Sequence, residues 1–120
     1  MTSAIAEWTR AVAGDWYQVK LFLQHASGFS MDALHVVGGV ILLLAIAFLL
    51  KSSVARPLPL LSLLGLQVLN EVSDFRVEIW PDPGMQIGES VKDVILTMFV
   101  PTLIFLVARY RPKLLVQTPS

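Results

Sequence analysis

From Ala33 to Leu50 only His35 interrupts a run of about eighteen apolar or small residues, Ala-Leu-His-Val-Val-Gly-Gly followed by Val40-Ile-Leu-Leu-Leu-Ala-Ile-Ala-Phe-Leu-Leu50. At a rise of about 1.5 Å per residue, a helix of that length crosses most of a hydrocarbon core of about 30 Å, so the pattern predicts a membrane span over about 32–50. A short basic turn, Lys51-Ser-Ser-Val-Ala-Arg56, leads to Pro57 and Pro59, which suit a first helical turn where missing N–H groups cost little. A second, antiparallel span is predicted over about 57–75. Its apolar character fades by Leu69, with Gln67 inside it and Asn70, Glu71 and Asp74 following. Arg76 to Gly88, containing Trp80-Pro-Asp-Pro-Gly, reads as an interfacial loop, because two prolines and a glycine oppose a continuing helix and tryptophan favours the headgroup region. A third span follows over about 89–108. Pro101 lies inside it, frees the Thr97 carbonyl from its helical donor and predicts a kink.

Residues 1–30 carry a different period. Ile5, Trp8, Val12, Trp16, Val19 and Phe22/Leu23 recur at three- and four-residue steps, while Glu7, Arg10, Asp15 and Lys20 fall mostly off that stripe. The segment is predicted to be an amphipathic helix. Its charges bar it from spanning, whereas two tryptophans and Tyr17 suit a helix lying in the membrane interface; packing on the other helices as a lid is the alternative. Gly28 and Ser30 break the chain before the first span, and Asp32 stands where it favours the positive end of the helix dipole. The fold class expected is therefore an all-α integral membrane protein. It has an amphipathic interfacial helix (1–30), a domain of three transmembrane helices (31–113) and a loose tail (114–120).

Composition supports one small membrane domain: 55% of the 120 residues are hydrophobic and only 15% charged, where soluble domains carry nearer a quarter. The formal net charge is zero, so nothing suggests an electrostatic grip on nucleic acid. The absence of cysteine removes disulfides, thiolate catalysis and thiolate metal sites. Met1-Thr-Ser-Ala lacks a basic n-region, so no cleavable signal is read. Lys51, Arg56, Arg109, Arg111 and Lys113 gather at one end of the predicted bundle without an acid, which predicts that end on the cytoplasmic side, N-terminus out and C-terminus in.

Charge also marks the candidate site. Asp32 and His35 share one helical face at the start of the first span. If both hairpin helices rise equally from the turn, His35 lies beside Val72 and close to Glu71, and a third helix entering near Glu89 brings Asp93 level with them. One turn deeper, Gln67 and Thr97 reach the level of Gly39, and glycines at 38 and 39 allow a close approach of backbone or polar tips. Asp32, Asp74, Glu89 and Lys92 are expected as an upper, wetter layer. A charge at the centre of a spanning helix costs on the order of 2.5 to 3.5 kcal/mol, so these groups are expected to face one another. The predicted polar pocket comprises Asp32, His35, Gln67, Glu71, Asp74, Lys92, Asp93 and Thr97. It is either a cavity recognising a headgroup, a cation or a proton, or a network that fixes helix register.

Two sharper chemistries compete with that reading. Asp32, His35, Glu71, Asp74 and Asp93 offer oxygen ligands and one imidazole, but no compact His/Glu motif marks a metal site, and none is assigned. An enzyme would use Glu71 or Asp93 as general base with His35 as partner, yet no serine, threonine or cysteine nucleophile stands in a recognisable setting. No catalytic residue or cofactor is assigned, and the balance is against an enzyme.

The acid-x-x-His opening Asp32 to His35, the Glu71-x-x-Asp74 end of the second span and Asp93-x-x-x-Thr97-x-x-x-Pro101 in the third resemble the VanZ-like family of small bacterial membrane proteins over residues 32–108. Asp74 stands where that family tends to have glutamine, Thr97 where it has asparagine and Pro101 where it has glycine. The basic residue before the last aspartate is Lys92 rather than a more distant arginine. The resemblance implies a shared polar core of Asp32, His35, Glu71 and Asp93. It also implies a bacterial inner-membrane setting in a family associated with reduced susceptibility to a glycopeptide antibiotic. The function expected is a small envelope protein whose outward polar pocket meets a lipid headgroup or cation, with membrane lipid as partner. The alternative is an accessory subunit of a larger membrane complex, its partners the other subunits.

Overall fold

The computed structural model describes residues 2–78 and 80–116. They form four α-helices, α1 (Thr2–Ser27), α2 (Met31–Leu49), α3 (Pro57–Val77) and α4 (Pro83–Tyr110), then a 3-10 turn at Pro112–Leu114, with no strand among the described residues. The architecture is all-α, as the periodicity predicts. Of the tail expected to be loose (114–120), Leu114 belongs to the 3-10 turn, and residues 117–120 lie outside the described residues.

Local chemistry accounts for each boundary. Gly28, at φ +73°, ends α1 in the left-handed conformation that costs glycine nothing. Ser30 then caps α2, its hydroxyl accepting from the Ala33 N–H at 3.1 Å, with Asp32 in the first turn. At the other end the Ser52 N–H donates to Ala47 O at 2.9 Å and the Lys51 N–H to Phe48 O at 3.1 Å. This is a Schellman closure, with Lys51 at φ 51° where a glycine more often stands. α3 opens with Pro57 in its first turn and no side-chain cap.

α4 corrects the expected loop. It begins at Pro83, six residues before Glu89, and the connection from α3 is reduced to the few residues between Val77 and Pro83. Asp82 is the N-cap, its carboxylate accepting from the Gly84 N–H at 2.9 Å, and Pro83 fills the first helical position. The Asp-Pro-Gly expected within the loop is a helix start.

The three expected spans are also revised. α2 and α4 are long and apolar enough to cross a membrane; α3 is not, although it has 21 residues. Gln67, Asn70, Glu71 and Asp74 supply the polarity that sets it apart. Of these, Gln67 and Glu71 are buried, at 6% and 7% exposure, so a good part of that polarity faces the bundle.

The helices pack in layers four residues apart. His35, Gly39, Leu43 and Ala47 descend α2, while Glu71, Gln67, Leu63 and Pro59 descend α3 against them, and α4 supplies Asp93, Thr97 and Pro101. Leu43, Leu63, Pro59 and Pro101 are fully buried, so the lower layers are an apolar core and the upper ones a polar core. The most extensive contact is between α2 and α4. It is closest at Gly39, where an added Cβ would collide with the backbone carbonyl of Thr97. Pro101 has no N–H to offer that carbonyl, so the oxygen left free by the proline is the one turned onto Gly39. Arg109 Nη1 donates to Ala55 O at 3.3 Å and draws the basic residues of the turn and of the α4 exit to one end.

Gly38→Ala and Gly39→Ala separate packing from propensity, because a Cβ at Gly38 meets nothing within 4 Å. Gly39→Ala is expected to destabilise the protein by about 1–3 kcal/mol through overpacking. Gly38→Ala is expected to be neutral or to stabilise by up to about 1 kcal/mol. Thermal unfolding in detergent, followed by circular dichroism, measures both.

Candidate functional site

The layer nearest the α2 N-terminus holds the chemistry. His35, Glu71 and Asp93 come from three helices, and one donor atom from each lies within 4.8 Å of the others. His35 Nε2 is 3.6 Å from Asp93 Oδ2, and both side chains are largely buried. On its other edge, His35 Nδ1 lies 2.9 Å from the Thr97 hydroxyl. Gln67 Nε2 donates to Glu71 Oε1 at 2.7 Å and Asn70 Nδ2 to the same oxygen at 3.3 Å. Five of the eight predicted residues, His35, Gln67, Glu71, Asp93 and Thr97, thus form one connected buried centre. The helical step of four places them there: Glu71 follows Gln67 and Thr97 follows Asp93 on the faces turned to α2.

The remaining three separate into two peripheral pairs. Lys92 Nζ is 3.2 Å from Asp32 Oδ1 and 2.9 Å from Glu89 Oε2 in an exposed cluster that links α2 to α4 at its rim. Asp74 does not join that layer, as was expected of it; it is ion-paired with Lys20 of α1. The reason is steric and electrostatic together. α1 packs on α3, and Lys20 reaches between Asp74 and Asn70, donating to the Asn70 Oδ1 at 3.1 Å, while Trp16 Nε1 donates to the same oxygen at 2.8 Å.

Trp16, Lys20 and Asn70 are the site residues that the sequence reading omits. A signal for them exists: Thr9, Ala13 and Lys20 share a face of α1 about a quarter turn from the tryptophan stripe, and Ala13 is buried there. Two contacts a helical turn apart, Trp16 with Asn70 and Lys20 with Asp74, show that α1 runs in the same sense as α3 where they meet. α1 is therefore docked on the bundle through its small and cationic face rather than standing apart from it. The apolar stripe remains uncovered, with Trp8 66% and Val12 47% exposed.

Because α1 leans on α3 and barely meets α2, a groove of about 820 Å³ opens between them. Trp8, Val12 and Leu23 wall it on one side and Leu34, Val37 and Ile41 on the other. His35, Gln67 and Thr97 lie in its floor, and Lys20, Asn70 and Arg76 also line it. Of the predicted pocket, Asp32, Glu71, Asp74, Lys92 and Asp93 do not line this groove. No family model, curated protein or solved structure matches the chain.

Chemically, the site offers two surfaces that meet at His35: a greasy trough with hydrogen-bonding groups in its floor, and behind it a pair of buried carboxylates. Lys20→Met is expected to lower stability by about 1–3 kcal/mol, because Asp74 is left with its charge uncompensated. Asp74→Asn added to Lys20→Met should recover part of that loss. A double-mutant cycle measured by thermal unfolding is expected to give a coupling of about 0.5–3 kcal/mol, and strict additivity would remove the tether.

Proposed function

We propose that this chain is a small multi-pass protein of a bacterial inner membrane that holds one membrane lipid in the groove between α1, α2 and α3. The observation that carries the reading is the groove itself, apolar along both walls and polar in its floor and at Arg76. Arg76 attracts a phosphate-bearing headgroup, His35, Gln67 and Thr97 give it hydrogen-bond partners, and the walls receive an acyl chain. In this reading α2, α3 and α4 all cross the bilayer, and α3 can do so because Gln67 and Glu71 face the bundle instead of lipid. The end carrying Lys51, Arg56, Arg109, Arg111 and Lys113 is cytoplasmic. The resemblance to VanZ-like proteins at Asp32, His35, Glu71 and Asp93 supports an envelope setting.

Gly38 lines the groove and has open space at its Cβ, so Gly38→Phe fills the trough without touching the helix contact at Gly39. Native mass spectrometry after gentle extraction should show one retained lipid per chain in the parent protein and its loss in Gly38→Phe, with thermal stability held. Equal retention in both proteins would refute a groove-bound lipid. Recovery only with stoichiometric foreign chains would turn the reading to an accessory subunit.

Topology has its own test. The chain contains no cysteine, so a single one reports alone. Asp82→Cys is expected to react with an impermeant maleimide in intact cells and Lys113→Cys only after permeabilisation; the reverse pattern would invert the protein.

A further inference from the structure

Glu71 and Asp93 lie outside the groove, and nothing in the lipid reading uses them. Both carboxylates sit beside His35 in the buried centre. The lysines in their neighbourhood are engaged elsewhere, Lys20 by Asp74 and Lys92 by Asp32 and Glu89. Among the described residues Asp93 accepts no hydrogen bond, its closest cationic partner being the imidazole at 3.6 Å. Here two acids and one imidazole converge from three helices, and among the described residues no lysine or arginine is paired with either acid.

We infer that His35, Glu71 and Asp93 form a binding site for one divalent transition cation of the Mn²⁺ or Zn²⁺ class. Opposed ligands of an ion bound at about 2.1–2.4 Å stand roughly 4.2–4.8 Å apart, so donor atoms within 4.8 Å of one another close on an ion by small rotamer changes. One imidazole with two carboxylates suits Mn²⁺, Fe²⁺ or Zn²⁺ better than Ca²⁺. The surroundings hold the ligands in place. A proton on His35 Nδ1, shared with the Thr97 hydroxyl at 2.9 Å, leaves Nε2 with its lone pair toward Asp93, and Gln67 anchors one oxygen of Glu71 at 2.7 Å. Outer partners of this kind orient metal ligands generally. Three protein ligands leave coordination positions for water or an anionic oxygen.

The cation site stands without the lipid. Its test uses the detergent-purified, chelator-stripped protein titrated with Mn²⁺, free Mn²⁺ being read by its paramagnetic resonance signal and Zn²⁺ added as competitor. One equivalent of Mn²⁺ is expected, displaced by Zn²⁺. Asp93→Asn and Glu71→Gln should weaken it by more than roughly tenfold, Thr97→Val by about tenfold to a hundredfold, and Glu78→Gln, outside the cluster, not at all. Absence of stoichiometric uptake in the parent protein would overturn the site. So would equal uptake by a folded Asp93→Asn, with folding checked by circular dichroism. Should the ligand variants fail to fold, Thr97→Val decides: unchanged Mn²⁺ affinity in that variant overturns the proposal. Metal uptake that persists in Gly38→Phe while lipid is lost, or the converse, tells the two sites apart.

Discussion

The bundle depends on one close approach, the backbone of α2 at Gly39 against the Thr97 carbonyl of α4. Once that contact is made, the helical repeat dictates which residues meet above and below it. Every fourth position inward stacks Leu43, Leu63 and Pro101 into a sealed apolar plug. Every fourth position outward delivers His35 and Asp93 to Glu71. A side chain at residue 39 would push the axes apart and loosen both halves together. Pro101 contributes twice, filling the plug and freeing the carbonyl that meets the glycine. The same close backbone contact is also what aligns the polar centre.

Charge is divided by depth rather than spread evenly. Toward the solvent-exposed rim, Lys92 balances Asp32 and Glu89, an arrangement of little net strength because water screens it. Between α1 and α3, Lys20 and Asp74 pair where both side chains are largely buried, so removing either partner is more damaging than the pair is stabilising. In the third zone Glu71 accepts from Gln67 and Asn70, and His35 lies beside both carboxylates. The chain thus pairs Asp32, Asp74 and Glu89 with lysines and leaves Glu71 and Asp93 grouped with His35 behind the groove.

Much of this follows from the pattern of residues. The first apolar run, its hairpin with the second and the step of four through Glu71, Gln67, Asp93 and Thr97 suffice to set the polar groups at one depth, because helical rise is nearly constant. Three features were not readable in the same way. Pro83 behaves as a helix start because Asp82 caps it, and a proline within a Trp-Pro-Asp-Pro-Gly string does not declare on which side of it the helix lies. Lys20 reads as one charge off the apolar stripe, and its partners Asn70 and Asp74 come from α3, a long-range match that periodicity within α1 does not encode. The apolar stripe of α1 was legible as a surface needing cover. That it would wall a groove rather than face a core depends on the docking angle, which the small residues Thr9 and Ala13 set.

α3 is less apolar than α2 and α4, yet Gln67 and Glu71 within it are buried. Its outward face carries Leu64, Val68, Leu69, Val72 and Phe75, all exposed. The inward face can then be polar at little cost to insertion, provided its groups find one another first. Glu71 meets Gln67 four residues away on its own helix, so part of that compensation forms before the bundle does. His35 and Asp93 complete it only on assembly. α3 therefore depends on its neighbours to cover its polar face, and the site exists because they do.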